Sequence, residues 1–180
     1  MDKSVDIILN GGVVILPTET VYGLCCLANN TSAVNKIYKI KKRNFDKPMS
    51  ILAYSIEQIM AFADVCEEAK NILKTGKTAV LKTSDISCFS KAIFGNTDGS
   101  TIGVRIPQNK ELLSILKQIS KPIVATSVNI SGEKAIYIAS DIDEDILLQV
   151  DFIISRDEMC CGIPSQIIDF ASGEIRFIRK

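Results

Sequence analysis

The chain has 180 residues, of which 47% are hydrophobic and 23% are charged, and its 21 basic and 21 acidic side chains give a formal net charge of zero. This composition excludes a disordered chain, and no apolar run approaches the roughly 18 residues that a membrane-spanning helix needs. The first residues lack the basic and apolar regions of a signal peptide, so we expect a cytoplasmic protein. The six cysteines match neither a disulfide framework nor zinc-site spacing, and the absence of histidine excludes a histidine base, triad or metal ligand.

The first part of the chain predicts a short helix over residues 4–10, with Ile8 and Leu9 facing inward, and then a strand over residues 13–16. The strand is a continuous aliphatic run, which is typical of a strand buried on both faces, and it stops at Pro17. A loop of three hydroxyls and one carboxylate follows, in the string Thr18-Glu19-Thr20-Val21-Tyr22-Gly23-Leu24. Because ligands of α/β folds bind at such strand ends, this loop is a candidate site.

The middle of the chain alternates helices and strands. Asn30 or Thr31 caps a helix whose buried stripe is Val34, Ile37 and Tyr38, and this helix runs into a basic segment over residues 36–47. Ser55 with Gln58 forms a capping box, a second helical stretch ends at Gly76, and residues 78–81 form a strand. A polar irregular loop then covers residues 84–100, and loops of this length are often functional.

The last part of the chain contains a second polar loop after a buried strand. The alternation in residues 101–107 predicts a strand with Thr101 and Arg105 on one side, and Asn109 caps the next helix. The strand over residues 122–125 ends in Thr126-Ser127-Val128-Asn129-Ile130-Ser131-Gly132. A helix capped by Ser140 with Asp143, a strand over residues 152–154 and a hairpin over residues 164–179 complete the pattern. These elements predict an α/β fold with a mixed parallel and antiparallel sheet flanked by helices.

Five separated motifs resemble, in order, those of the YrdC/TsaC family. They are the string from Pro17 to Leu24, Lys41-x-Arg43, Gly103-Val104-Arg105-Ile106-Pro107, the loop of residues 126–132, and Pro164-Ser165-Gln166-Ile167-Ile168-Asp169. The resemblance implies a single YrdC-like domain over residues 1–180, with a twisted mixed sheet around a concave, positively charged cavity. It also implies synthesis of L-threonylcarbamoyl-adenylate from ATP, L-threonine and bicarbonate, the first step of threonylcarbamoyladenosine (t6A) modification of tRNA. Because the chain ends at Lys180, we expect the short form without the additional C-terminal domain.

The resemblance also assigns roles to individual residues. It implies that the catalytic group contains Lys41, Arg43, Ser127 and Asn129. It implies nucleotide contacts from Lys41, Arg43, Lys47, Thr101, Asn129 and Arg179, and threonine contacts from Thr18, Thr20, Arg105, Ser127 and Ser165. Mg2+ is expected to accompany ATP, with no dedicated protein site for the metal. The expected partners are tRNA, which the chain could bind directly, and a downstream threonylcarbamoyl-transferase complex.

Two alternative functions remain open. One is an RNA-binding module that uses a basic concavity on tRNA or double-stranded RNA without chemistry, and the zero net charge argues against it. The other is a divergent paralogue, such as the carbamoyl-adenylate domain of hydrogenase maturation proteins or a YciO-like member. The chain departs from the family pattern at Lys77, Lys134 and Gln166, and the effect of these departures is an open question.

Overall fold

The computed structural model describes residues 3–179, and within that range nine strands form one sheet. The strands are β1 (Val14–Pro17), β2 (Tyr22–Leu27), β3 (Ser50–Leu52), β4 (Thr78–Lys82), β5 (Thr101–Arg105), β6 (Ile123–Ser127), β7 (Phe152–Ile153), β8 (Ile167–Asp169) and β9 (Arg176–Arg179). The helices are α1 (Lys3–Leu9), α2 (Thr31–Ile40), α3 (Ile56–Met60), α4 (Glu67–Leu73), α5 (Lys110–Ile119) and α6 (Glu144–Leu147). Short 3-10 turns lie at Lys91–Phe94, Ala139–Asp141 and Asp157–Met159.

The strand order across the sheet is β7-β1-β2-β6-β3-β5-β4-β8-β9. Three neighbouring pairs are parallel, namely β1 with β7, β3 with β5, and β4 with β8. The other five are antiparallel, including the terminal hairpin of β8 and β9. The predicted mixed α/β sheet is therefore confirmed.

The core lies on both faces of the sheet. On one face, Val14 and Leu16 of β1 pack with buried side chains of α1 and α5. On the other face, Ile15 packs with buried side chains of α2, including Val34 and Ile37. Successive β1 residues thus enter opposite core layers, which confirms that this strand is buried on both sides. In residues 3–179 no helix is both long enough and apolar enough to span a membrane.

Three of the predicted helix caps are confirmed by their hydrogen bonds. The side chains of Asn30, Ser55 and Asn109 accept bonds from backbone N–H groups at distances of 3.0, 3.2 and 3.0 Å. The prediction that Ser140 begins a helix is wrong. Ser140 lies in a 3-10 turn, and α6 begins after Asp143, whose carboxylate accepts from Asp145 N at 2.8 Å. A carboxylate there has the added benefit of the helix dipole.

The sequence pattern missed two strands, β2 and β3. The pattern places the start of β2 in a polar loop, since Gly23 disfavours a strand and the other residues do not alternate in polarity. All six β2 residues are buried, since β2 lies between β1 and β6 and has core on both faces. Pro17 pairs with Tyr22 at the end of β1, where a missing N–H is tolerated. The polar loop is therefore a hairpin connection of residues 18–21.

Candidate active site

Two polar loops meet because their strands are neighbours in the sheet. The connection of residues 18–21 joins β1 to β2, and Gly23 of β2 is paired with Ser127 at the end of β6. The loop of residues 128–132 therefore begins beside the hairpin. Two adjoining cavities lie here, with volumes of about 190 and about 400 Å3.

The first cavity contains the residues that were predicted to bind threonine. All five line it, namely Thr18, Thr20, Arg105, Ser127 and Ser165. Its wall also includes apolar side chains, among them Val21, Leu52 and Ile167. A small cavity with three arginines, several hydroxyls and an apolar wall has the chemistry to hold a small amino acid.

The second cavity contains most of the residues that were predicted to contact the nucleotide. Lys41, Arg43, Lys47, Asn129 and Arg179 line it, together with Lys134 and Glu133. Arg43, Ser127, Pro164 and Arg179 border both cavities, so the two spaces share a wall. Basic side chains grouped in this way can neutralise phosphate charge.

Thr101 is the predicted nucleotide residue that lines neither cavity. It is exposed at the start of β5 and pairs with Lys82, whereas Arg105 at the other end of that strand pairs with Thr78. Four residues of extended strand separate the two by about 13 Å. A shared face of one strand thus does not bring Thr101 to the site.

Arg105 is held by the carboxylate of Glu19, a residue for which the resemblance implied no role. Its Nη2 donates to Glu19 Oε1 at 2.6 Å and its Nη1 to Thr20 Oγ1 at 3.0 Å, while Gln108 N also donates to Glu19 Oε1 at 3.0 Å. Arg105 is only 8% exposed. Within the described residues its Nε is a buried donor without a hydrogen-bond partner, and Arg105 borders the first cavity. The guanidinium charge would attract an anionic ligand in that cavity. The signal for Glu19 was its place between the two threonines of the loop.

The two threonines of the hairpin loop have different tasks. Thr18 Oγ1 donates to Val21 O at 2.7 Å and accepts from the backbone N–H groups of Thr20 and Val21 at 3.1 and 3.2 Å. Its hydroxyl therefore closes the turn. Thr20 Oγ1 lies 2.7 Å from Thr18 Oγ1 and receives the bond from Arg105. Thr20 is thus the threonine whose hydroxyl accepts a hydrogen bond from Arg105.

Lys41 is buried and bound to the loop after β6. Its Nζ donates to Asn129 O and Asn129 Oδ1, both at 2.8 Å, and to Ser127 O. Lys41 is 1% exposed, and burial, followed by the nearby positive charge of Arg43, lowers its pKa to about 7. Its three hydrogen bonds hold the loop in place at the border of the second cavity. Lys41 therefore has a structural task, and because its three N–H donors are all engaged, it can add only its charge to the predicted phosphate contact.

Asn129 completes this network. Its Oδ1 also accepts from Ser127 Oγ at 2.7 Å, and its Nδ2 donates to Glu133 O at 2.7 Å. The side chain is buried and links the two ends of its own loop. The Ser127 hydroxyl keeps its acceptor capacity, because its proton is directed to Asn129.

The C-terminal hairpin supplies the opposite side of the site. Arg179 Nε donates to Ser165 O at 2.8 Å, and Arg179 Nη2 lies 3.3 Å from Ser165 Oγ. Thr78 Oγ1 lies 2.8 Å from Ser165 Oγ and also borders the first cavity. Thr78 was not predicted, although it lies in the Gly76-Lys77-Thr78 sequence, which resembles part of a phosphate loop but enters a strand.

Comparison with known proteins agrees with this arrangement. A family model named Sua5/YciO/YrdC and described as "Telomere recombination" matches residues 6–180. The chain belongs to the Sua5/YciO/YrdC family. This confirms the resemblance that the five motifs indicated.

Relatives of this Sua5/YciO/YrdC domain carry informative names. It is 35% identical over 178 residues to a Methanocaldococcus jannaschii protein named "Putative threonylcarbamoyl-AMP synthase", covering 96% of this chain and 81% of that protein. It is 35% identical over 167 residues to the Pyrococcus abyssi threonylcarbamoyl-AMP synthase, covering 90% of this chain and 48% of that protein. The chain thus spans about half the length of the P. abyssi relative.

Solved structures share the fold. The P. abyssi Sua5 complexed with L-threonine superposes with a TM-score of 0.88 at 32% identity, covering 98% of this chain and 52% of that one. Escherichia coli YciO gives a TM-score of 0.83 at 22% identity, covering 99% of this chain and 87% of that one. The second comparison supports the fold alone.

Of the three departures from the family pattern, Lys134 alone lines a cavity of this Sua5/YciO/YrdC domain, and Gln166 lines neither. Lys134 borders the second cavity, where it adds a cation. Gln166 follows Ser165, and within residues 3–179 its Oε1 is buried without a hydrogen-bond partner. Lys77 lines neither cavity.

Proposed function

We propose that this chain synthesises L-threonylcarbamoyl-adenylate and pyrophosphate from ATP, L-threonine and bicarbonate. The observation that carries the proposal is the shared wall between the two cavities, because it allows an amino acid and a nucleotide to react with each other. The names of the two archaeal relatives support the proposal.

The reaction has two steps. Bicarbonate first loses hydroxide to give carbon dioxide, which the threonine amine attacks; the amine then loses a proton to give a carbamate, and that proton and the hydroxide form water. A carbamate oxygen then attacks the α-phosphorus of ATP, and the bond from that phosphorus to the bridging oxygen of the β-phosphate breaks. Pyrophosphate leaves with the electron pair. Positioning and charge neutralisation dominate such a transfer, so it needs no covalent protein nucleophile.

In this proposal the first cavity holds threonine. Arg105 binds the threonine carboxylate with its guanidinium, which Thr20 and Glu19 hold in place. Ser127 at the end of β6 and Ser165 before β8 also line this cavity and offer hydroxyls. An ion pair with a planar guanidinium fixes the orientation of a carboxylate as well as its charge.

The second cavity holds the triphosphate. Arg43 and Arg179, which border both cavities, are suited to the α-phosphate, and Lys47 and Lys134 to the departing pyrophosphate. Among residues 3–179 no group of three or more His, Cys, Asp or Glu side chains could hold a metal ion. Glu133 is the carboxylate that borders this cavity, so phosphate oxygens would supply most ligands of a Mg2+ ion that arrives with ATP.

The cellular role follows from the product. We propose that the chain acts in the cytoplasm in the first step of t6A modification, and that a threonylcarbamoyl-transferase consumes its product on tRNA. Direct binding of tRNA is part of this proposal.

The test is pyrophosphate release by the purified chain given ATP and MgCl2, with L-threonine and bicarbonate each added or withheld. We expect release only when both are present, and its loss with excess EDTA. Mass spectrometry should detect threonylcarbamoyl-AMP. No release by a folded chain that shifts tRNA in a gel would favour the RNA-binding alternative, and release with carbamoyl phosphate instead of threonine and bicarbonate would favour the carbamoyl-adenylate paralogue.

A further inference from the structure

Two cations of the second cavity come from one exposed loop, residues 43–48, which we call the basic loop. It contains Arg43 and Lys47, and both border that cavity. The Arg43 guanidinium is fixed by the loop itself, since Nε donates to Lys47 O at 2.9 Å and Nη2 to Pro48 O at 3.0 Å. The direction of the guanidinium therefore depends on where the loop backbone lies.

The basic loop rests on the segment of residues 84–100, for which the proposed function has no task. Asn96 N donates to Phe45 O at 2.9 Å, and Asn96 Nδ2 donates to Asp46 Oδ1 at 2.8 Å. The Phe45 ring also stacks on Tyr38 of α2, with centroids 4.3 Å apart. The loop is thus held by both α2 and the long polar segment.

Gly95 permits this contact. It has a φ of +58°, and a β-carbon built on it would lie closer than 3.0 Å to Phe45 O. The obstructing atom belongs to the backbone of the basic loop, so a side chain at position 95 would have to displace that loop. The same β-carbon would lie 3.2 Å from the Tyr38 hydroxyl.

We propose that Gly95 and Asn96 are positioning residues for the nucleotide, acting through the basic loop. They set the place of Phe45 and Asp46, the loop backbone then sets the Lys47 and Pro48 carbonyls, and these orient Arg43. This inference rests on the proposed function, since it assigns the phosphates to the cations of the second cavity.

The chain offers a matched control in the same segment. Gly99 also has a positive φ, +76°, but a β-carbon there would meet only Phe94 and Ile86 side chains at 3.4 to 3.5 Å, which is ordinary contact. Gly95→Ala and Gly99→Ala therefore both strain the backbone of one segment. Only Gly95→Ala places the added β-carbon against the backbone of the basic loop.

Two readouts that need no turnover test the proposal. One is the dissociation constant of α,β-methylene-ATP, which cannot be cleaved at the reacting bond, measured by calorimetry with Mg2+. We expect it to rise at least about fivefold in Gly95→Ala and less than about twofold in Gly99→Ala, because a displaced cation loses its phosphate contact. The other is the rate of tryptic cleavage after Arg43, followed by mass spectrometry, which should rise in Gly95→Ala alone.

A second pair of variants covers the case in which Gly95→Ala does not fold. Asn96→Ala removes the side-chain bond to Asp46, whereas Thr97→Ala removes a bond to Phe94 O within the long segment. We expect faster cleavage after Arg43 and about two- to threefold weaker analogue binding in Asn96→Ala alone.

The outcomes separate the two proposals. If the wild-type chain releases pyrophosphate and Gly95→Ala matches Gly99→Ala in both readouts, the positioning role is overturned and the proposed function stands. If the wild-type chain binds the analogue but makes no product, the proposed function fails, and the comparison between the two alanine variants still decides the positioning role.

Discussion

Replacing Lys41 with methionine tests two roles of this lysine, namely holding the loop after β6 in place and neutralising phosphate charge. The change keeps most of the side-chain volume and removes three donors from Ser127 O, Asn129 O and Asn129 Oδ1. Asn129 Oδ1 keeps its bond from the Ser127 hydroxyl, but the two backbone acceptors lose theirs. Each buried acceptor left without a donor costs about 1–3 kcal/mol, and removal of a buried charge offsets part of that.

We therefore expect Lys41→Met to lower the free energy of unfolding by about 3 kcal/mol, and Tm by about 6–12 °C for a domain of this size. The matched variant is Arg43→Met. Its lost bonds go to exposed loop carbonyls that water can satisfy, so it should cost no more than about 1 kcal/mol. Both variants should lose at least about 100-fold in kcat/KM, because each removes a cation from the second cavity.

The assay is urea denaturation followed by circular dichroism, since the chain has no tryptophan to report by fluorescence. It is paired with pyrophosphate release under the same conditions. A Lys41→Met variant as stable as Arg43→Met would refute the structural task. Full activity in either variant would refute the phosphate assignment.

Three further predictions concern charge and position. The pKa of Lys41 is about 7 in the folded chain and 10.5 in the unfolded chain, so the folded chain binds fewer protons between these values. The stability of the wild type relative to Lys41→Met should therefore rise between about pH 7 and pH 10. Urea midpoints of the two proteins that run parallel across that range would contradict this. Glu19→Gln should raise KM for threonine by about fivefold and KM for ATP by less than about twofold, because it weakens the hydrogen bond that fixes Arg105. Initial rates measured with each substrate varied in turn would show whether the effect is selective for threonine. Thr101→Ala should leave nucleotide affinity within about twofold of wild type in calorimetry, since Thr101 lies about 13 Å along the strand from Arg105; a larger loss would restore the role that the resemblance implied.

Much of the fold could be predicted because its periodic elements match their patterns. The strand at residues 13–16, the stripe of α2 and the terminal hairpin all lie where polarity and capping residues place them. Strand β2 could not be found in this way, since a strand with core on both faces shows no alternation and Gly23 disfavours a strand. Its place in the sheet depends on pairing with β6, about 100 residues later, and no local pattern records such a partner.

It was easier to predict which residues lie at the site than which of them form hydrogen bonds with each other. All five predicted threonine contacts line the first cavity and five of the six predicted nucleotide contacts line the second, whereas Glu19 and Thr78 had no predicted role. Both are ordinary polar residues whose task exists only once distant segments meet. The resemblance gave Lys41 one role, whereas burial and three hydrogen bonds give it another. Residue type indicates what a side chain can bind, and the packing decides which partner it has.

The spacing of Lys41 and Arg43 has a physical reason in the end of α2. Arg43 N donates to Tyr38 O at 2.9 Å and Lys42 N to Lys39 O at 3.0 Å, which is the bond pattern of a Schellman turn. Lys42 has the positive φ, +47°, that this turn requires at its reversing residue. The chain therefore changes direction between the two cations, so Lys41 stays at the buried helix end and Arg43 begins the exposed basic loop. With a single residue between them, Lys41 can therefore bind the loop after β6 while Arg43 borders both cavities.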